Sequence, residues 1–314
     1  MWFFTPSNPT LTFGGFDGEG KREMYEQLPP GTYPRTIYIL PHQPFKQVLL
    51  QINKGGFIYP FAVKPEVGMM GLMFRKIDNP EDLETYHRKM PVEYIVQELI
   101  DYPLEVSVFY YRYPHSAHGT ITGFLRKELV EVVGDGKATL EELIEKESYR
   151  PGFKVEEWKT KHQSQLKNVL VNGEPFRISW VANLSRGGRL VSLENEKDEK
   201  LLKLFDTISD HSKHFYYGRY DIKCNSINEL KEGKKFSILE YNGSGAEPHH
   251  IYGNGNNVLQ AYRIVLHHWR VLFEISRANR KKGIKPWPFW KGLAFLQKSK
   301  KHFDLLKKLD KSDD

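Results

Sequence analysis

Lys235-Phe-Ser-Ile-Leu-Glu-Tyr-Asn242 is the stretch from which the fold is read. Phe236 to Asn242 reads as a strand whose period of two puts Phe236, Ile238, Glu240 and Asn242 on one face. Two apolar residues and two oxygen ligands would share that face. An unpaired buried carboxylate is expensive, so Glu-x-Asn makes poor core material. It suits a divalent cation better, because Mg²⁺ takes hard oxygen ligands from one or two carboxylates together with substrate phosphates. A second strand, Tyr217 to Lys223, offers Arg219 and Asp221 on a shared face. The polar link from Asn225 to Lys234 predicts a hairpin, which brings Asp221, Glu240 and Asn242 together beside Arg219. From these residues alone, an exposed charged hairpin is the alternative.

The 314 residues suffice for a sizeable core and two or three lobes. With 27% charged and 39% apolar residues, the composition is that of a soluble globular protein. A net charge of +7 suits an anionic ligand such as a nucleotide without identifying one. The single cysteine, Cys224, excludes an intrachain disulfide framework and a cysteine-rich metal site, and reads as a packing residue. No apolar run is long enough to cross a bilayer. The start, Met-Trp-Phe-Phe-Thr-Pro, lacks the basic and apolar regions of a signal peptide, so the cytoplasm is the expected location.

Working outward, residues 1–20 are rich in Gly, Pro, Ser and Thr and read as an irregular arm. Lys21 to Leu28 predicts a short helix stopped by Pro29, Pro30 and Gly31. Phe45 to Asn53 predicts an amphipathic helix ended by Lys54-Gly55-Gly56. Phe57 to Lys64 and Met70 to Ile77 read as strands joined by a glycine-containing loop. Glycine lets backbone N–H groups approach anionic oxygens and Lys64 adds a charge, so the pair could cover a phosphate or be a simple hairpin. Strands are expected at Tyr94–Ile100, Leu104–Tyr113, Ile121–Val133 and Phe176–Leu184. Helices are expected at Pro80–Arg88, Leu140–Lys146, Asp198–His214 and Asn257–Asn279. Residues 147–173 are polar and poorly periodic.

Four pieces stand in a fixed order: Lys64 with its glycine loop, Gln97-Glu98-Leu99 with Glu105 seven residues after Glu98, Asn183 with Arg186-Gly-Gly, and Asp221 with Glu240-x-Asn242. Their order and spacing resemble the ATP-grasp superfamily. VVGDGKATLEELI resembles a segment of cyanophycin synthetases and bifunctional glutathione synthetases. VANLSRGG is similar to loops of those enzymes and of the ribosomal-protein glutamate ligases. Arg219-x-Asp221 followed by Glu-x-Asn resembles the metal segment of D-alanine–D-alanine ligases. The resemblance covers about residues 21–262.

It implies an α+β ATP-grasp fold, two α+β lobes sandwiching the nucleotide. Lys64 matches the lysine on the α- and β-phosphates, and Gly68 and Gly71 match the flap that closes over them. Gln97, Glu98 and Leu99 match the adenine hinge, and Glu105 the carboxylate on the ribose. Asp221, Glu240 and Asn242 match the ligands of two Mg²⁺ ions. Arg219 matches the arginine that stabilises charge on the transferred phosphoryl group. Asn183 and Arg186 match residues near the γ-phosphate and the acceptor, and Lys21 an upstream nucleotide-site lysine. The implied activity is ligation of a carboxylate, through an acylphosphate, to an amine of a small amino acid or peptide.

The implied division is an arm at 1–20, a first lobe at 21–90, a second lobe at 91–262 and a basic helical extension at 263–314. The family's N-terminal α/β domain is absent from this division. A nucleotide-binding component needing a partner chain, or a phosphotransferase on another acceptor, is therefore the alternative. Met69 and Met70 stand in the flap where Gly or Ser is common, and Val181 stands where the glutamate ligases have Arg. Such departures leave substrate identity open. Arg126 is placed either in the acceptor cleft or on the surface. Glu247, His249 and His250 are candidate lining of the acceptor pocket, and adjacent histidines would not chelate one metal easily. The basic aromatic tail from Arg280 is expected to cap the ligase body, against contact with lipid or nucleic acid. Small-molecule substrates are expected, with no nucleic acid, and a homodimer or partner chain is left open.

Overall fold

In the computed structural model residues 1–150, 152–178 and 187–311 are described. A four-stranded antiparallel sheet has the order β1-β4-β2-β3, with β1 at Thr36–Ile39, β2 at Phe61–Pro65, β3 at Arg75–Ile77 and β4 at Tyr94–Glu98. Helix α1, Lys21–Tyr25, precedes it in the chain; α2, Phe45–Lys54, and α3, Pro80–Lys89, cover one of its faces. Helix α3 starts where its sequence dictates: Asn79 accepts from the Asp82 N–H, Pro80 opens the first turn, and Glu81 and Asp82 sit at the positive end of the dipole. Val48 and Ile52 of α2 and Leu83 and Tyr86 of α3 pack on Ile39, Phe61, Val63, Tyr94 and Val96. The alternate residues Ala62, Lys64 and Gln97 are left for the other face, lining a cleft.

The second sheet is five-stranded, β11-β10-β5-β6-β9. Its members are β5, Leu104–Tyr111; β6, Thr120–Glu128; β9, Arg189–Ser192; β10, Tyr217–Cys224; and β11, Phe236–Asn242. Between β6 and β9 a small unit pairs β7, Glu131–Val133, with β8, Pro175–Arg177, under α4, Leu140–Lys146, and α5, Val155–Lys161. Thr139 and Glu142 form the capping box of α4. Helix α6, Glu199–Ser212, buries Leu201, Phe205 and Ile208 against Val106, Val108, Tyr110, Phe124 and Tyr220. A short α7, Ile227–Lys231, sits within the β10–β11 link, and α8, His250–Gly253, leads to α9, Val258–Lys281, and α10, Phe289–Lys311.

Several expectations are corrected. Tyr94–Glu98 pairs with β1 and β2, so the first lobe runs past residue 90 and the lobes meet at Leu99–Pro103. Conversely, Met24, Tyr25 and Leu28 pack in the second sheet's core, so α1 belongs there and not at the start of the first lobe. Residues 1–20 are irregular as expected, with two short 3-10 helices at Thr5–Ser7 and Thr12–Gly15, but they are packed on the body. Asn8 ties to Tyr216 and Tyr217 through both ends of its amide, and Phe4 and Phe13 are buried with Phe109, Tyr217, Val271 and Ile275. Ile121–Val133 is two strands in two sheets, and residues 147–173 hold α5, pinned by buried Trp158. The Phe176–Leu184 strand is described only as Pro175–Arg177, the rest lying outside the described residues. The tail is a cap: Trp287 and Phe295 join the N-terminal aromatics while Phe303 and Leu306 enter the first lobe's core. Among the described residues no helix is long and apolar enough to cross a membrane.

The face assignment of β11 is also corrected. Asp221 pairs with Glu240, but Ile222 pairs with Ile238, so Leu239 is an extra residue, a β-bulge. The bulge reverses the alternation. Phe236 and Ile238 go to the buried core, whereas Glu240 and Asn242 turn to the cleft with Asp221 and Arg219.

Candidate active site

The two sheets face each other across a cleft of about 510 Å³. All twelve described site candidates line it: Lys21, Lys64, Gly68, Gly71, Gln97, Glu98, Leu99, Glu105, Arg219, Asp221, Glu240 and Asn242. Asn183 and Arg186 lie outside the described residues.

Three strands build its acidic wall. Register places Glu105 opposite Lys127 on β6 and opposite Lys223 on β10, and Asp221 opposite Glu240. Lys127 is the hub, 4% exposed, with its Nζ 3.0 Å from Asp221 and 3.3 Å from Glu105. Arg219 adds a two-pronged contact to Asp221, with Nε and Nη2 each 3.2 Å from a carboxylate oxygen. Burial alone would raise the Asp221 carboxyl, but the Arg219 and Lys127 cations hold it well below the usual range. Glu105 goes the other way: burial pushes it up, with the Asp221 charge adding to it and Lys127 opposing. Burial opposes the Lys127 charge, yet the two carboxylates hold its ammonium above the ordinary value.

The basic wall comes from β2 and the N-terminal side. Lys64 is enclosed, and burial, then repulsion from Lys21, brings its ammonium down to about 8. Lys21 lies 3.9 Å from Glu240 and reaches the carbonyls of Glu66 and Gly68 at the foot of the flap. Gly71 sits at φ +72°, a conformation a side chain would strain. Beyond the strand end at Glu98, Leu99, Ile100 and Asp101 run along the cleft. Gln97 is inside the sheet, paired with Thr36 and Ala62, and its amide donates to Tyr25 Oη and Thr36 Oγ1 at 2.8 Å. Leu99 is thus the first residue beyond the ladder.

Sequence reasoning missed two lining residues. Lys127 lies within the expected strand Ile121–Val133, but its face depends on cross-strand register with Glu105. Arg126, the basic residue weighed for the cleft, pairs instead with Glu128. Glu19, in Asp17-Gly-Glu-Gly-Lys21, lines the cleft because the N-terminal segment docks on the loop after Asn242. Ser244 and Gly245 donate to the carbonyls of Gly14 and Gly15 at 3.1 and 3.0 Å, an approach that only glycine at 243 and 245 permits. Burial, then the Glu240 charge, pushes the Glu19 carboxyl up to about 7. Glu247 and His249 do line the cleft. Arg219 Nη1 donates to the Glu247 carbonyl at 3.1 Å and lies 3.2 Å from His249 Nε2. Burial and Arg219 bring His249 down to about 3, so it stays neutral. His250 turns away, under Gly123 and against Phe109 and His268.

Among the described residues no cluster of three His, Cys, Asp or Glu could by itself hold a metal. The donor set at Asp221, Glu240 and Asn242 is two carboxylates and an amide. Asp221 and Glu240 stand directly opposed on neighbouring strands, Asp221 held by Arg219 and Lys127 and Glu240 3.9 Å from Lys21. Hard oxygens in that number fit Mg²⁺ completed by phosphate or water.

Solved structures similar to the chain include ligases, at low identity. One is a D-alanine–D-alanine ligase from Bacillus anthracis, 14% identical with a TM-score of 0.44, covering 84% of this chain and 69% of that one. Another is a bifunctional glutathione synthetase from Pasteurella multocida, 15% identical with a TM-score of 0.41, covering 77% of this chain but only 34% of the synthetase. A third is VanG, a D-Ala:D-Ser ligase from Enterococcus faecalis, 12% identical with a TM-score of 0.41, covering 76% of this chain and 57% of that one. No family model and no curated protein matches the chain.

Proposed function

We propose that the chain is an ATP- and Mg²⁺-dependent ligase that joins a carboxylate to an amine of a small amino acid or short peptide. One observation carries this reading: Lys64 and the glycine-containing loop after β2 line the same cleft as Asp221, Glu240, Asn242 and Glu105 of the second sheet, with Lys21 beside Glu240. A polyanion fits the first group and its counter-cations the second. Lys64 neutralises phosphate oxygens, Glu105 accepts from the ribose hydroxyls, and the backbone after Glu98 holds the adenine edge. Asp221, Glu240 and Asn242 would hold Mg²⁺, which when bound neutralises phosphate charge. Phosphoryl transfer needs positioning and charge compensation more than covalent help.

The substrate carboxylate oxygen attacks the γ-phosphorus and the bond to ADP breaks. The amine nitrogen then attacks the acyl carbon, phosphate leaves, and the nitrogen gives up a proton as the amide forms. Arg219, locked on Asp221, is placed to stabilise the negative charge that develops in both steps. His249 and Glu247 edge the space beyond Arg219, where the acceptor would sit.

The test is turnover across pairs of amino acids with ATP and Mg²⁺. ADP and amide should appear in equal amounts, and Asp221→Asn should abolish both. A phosphorylated acceptor without amide supports phosphotransfer instead. Tight nucleotide binding with no product from any pair counts against the ligase reading.

A further inference from the structure

Helix α9 is apolar on two faces. One buries His268, Val271, Leu272, Ile275, Ser276 and Asn279 against the body. The other carries Val258, Leu259, Tyr262, Leu266, Trp269 and Phe273, which are between 50% and 72% exposed. At about 100° per residue these six fall within an arc of roughly 100°, and the row is about 24 Å long. A contiguous exposed apolar row of this size marks a contact surface. The row is continued sideways by Phe3, whose ring lies 6.4 Å from Trp269 and 6.1 Å from Phe273.

Charge identifies what covers it. Residues 258–314 hold fourteen Lys and Arg against five Asp and Glu, a net +9, whereas residues 1–257 carry a net −2. Arg263, Arg270, Arg277 and Arg280 are exposed along the flank and end of the same ridge, whose one acid is Glu274. Pairing this ridge with a second copy would set its four arginines and single glutamate against the same charges. Tyr and Trp suit the border between headgroups and acyl chains, where one end of the ring is apolar and the other wet.

We infer that the outward ridge of α9, with its arginine flank, docks the protein on the surface of an anionic lipid bilayer. The helix lies in the plane of the interface, its six apolar side chains below the headgroups and its arginines at them. This surface is separate from the cleft and does not depend on the ligase reading.

The test is co-sedimentation of the full-length chain with phosphatidylglycerol and with phosphatidylcholine vesicles at low and high salt, alongside the doubly substituted Leu266→Ser, Trp269→Ser chain. Unaltered nucleotide binding and thermal unfolding show that the substituted chain is folded. Expected is binding to phosphatidylglycerol at least tenfold tighter than to phosphatidylcholine, weakened by salt, with at least a tenfold loss in the substituted chain. A blue shift of tryptophan emission should accompany binding and be smaller without Trp269. The inference is overturned by absence of vesicle binding, by equal binding of the substituted chain, or by a dimer that the same substitutions convert to monomer. Preferential capture of RNA or DNA by the same ridge would also overturn it.

Discussion

Lys127→Met removes the cation that joins Glu105 to Asp221. Breaking a buried ion network by deleting one partner costs about 3–5 kcal/mol, because the charge left behind has neither water nor a counter-ion. Here Asp221 keeps its two contacts to Arg219, so the loss falls mainly on Glu105. A loss of about 2–4 kcal/mol is expected, and a urea titration followed by tryptophan fluorescence measures it. The deficit should shrink as pH falls, since burial already favours the neutral form of Glu105 and loss of Lys127 favours it further. Adding Glu105→Gln to Lys127→Met should recover about 1 kcal/mol or more relative to the sum of the single losses. A loss below about 0.5 kcal/mol, or two effects that simply add, would refute the hub assigned to Lys127.

Gly245→Ala places a Cβ 2.0 Å from the Phe16 carbonyl oxygen, so the N-terminal segment should come off the loop and tryptic cleavage at Lys21 and Arg22 should accelerate; unchanged cleavage contradicts the docking. Lys64 loses its proton at about 8, so nucleotide affinity should fall by up to about tenfold per pH unit above that point, and a fluorescent nucleotide titration would show a flat profile if the lysine does not touch phosphate. Its depressed ammonium also means the unfolded chain binds more protons, so this group raises apo stability as pH climbs from about 8 towards the ordinary lysine value. His249, His250 and His268 are held neutral down to about 3, 4 and 3, chiefly by burial. Each should therefore withdraw about 1.4 kcal/mol of stability per pH unit as pH falls below about 6.5, visible in thermal melts at stepped pH and reduced by His268→Gln. Phe303→Ala should cost about 3 kcal/mol through the cavity left in the first lobe; an unchanged melting temperature would contradict its place in that core.

The elements with a strong period and a capping residue were legible from the sequence: Thr139 before α4, Asp198 before α6 and Asn257 before α9 start those helices as expected. The hairpin of Asp221 and Glu240 was legible because its polar residues repeat with the strand period. The bulge at Leu239 was not, since an inserted residue leaves no mark in an otherwise alternating run. Lys127 was hidden for a related reason: its orientation is set by which residue of β5 it faces, a fact about two segments rather than one. The irregularity of the N-terminal segment was legible from its composition, but its docking was not, since that depends on Gly14 and Gly15 meeting Gly243 and Gly245, far along the chain.

Both feet of the glycine flap stand on the C-terminal helix. His302 Nε2 lies 2.8 Å from the Val67 carbonyl, just before Gly68, and Asp310 accepts from the Met73 N–H and from Arg75, just after Gly71. The loop can therefore flex only in the span between two bolts set in one 23-residue rod. The loop that lines one side of the cleft is thus anchored at both ends by the last helix of the described chain.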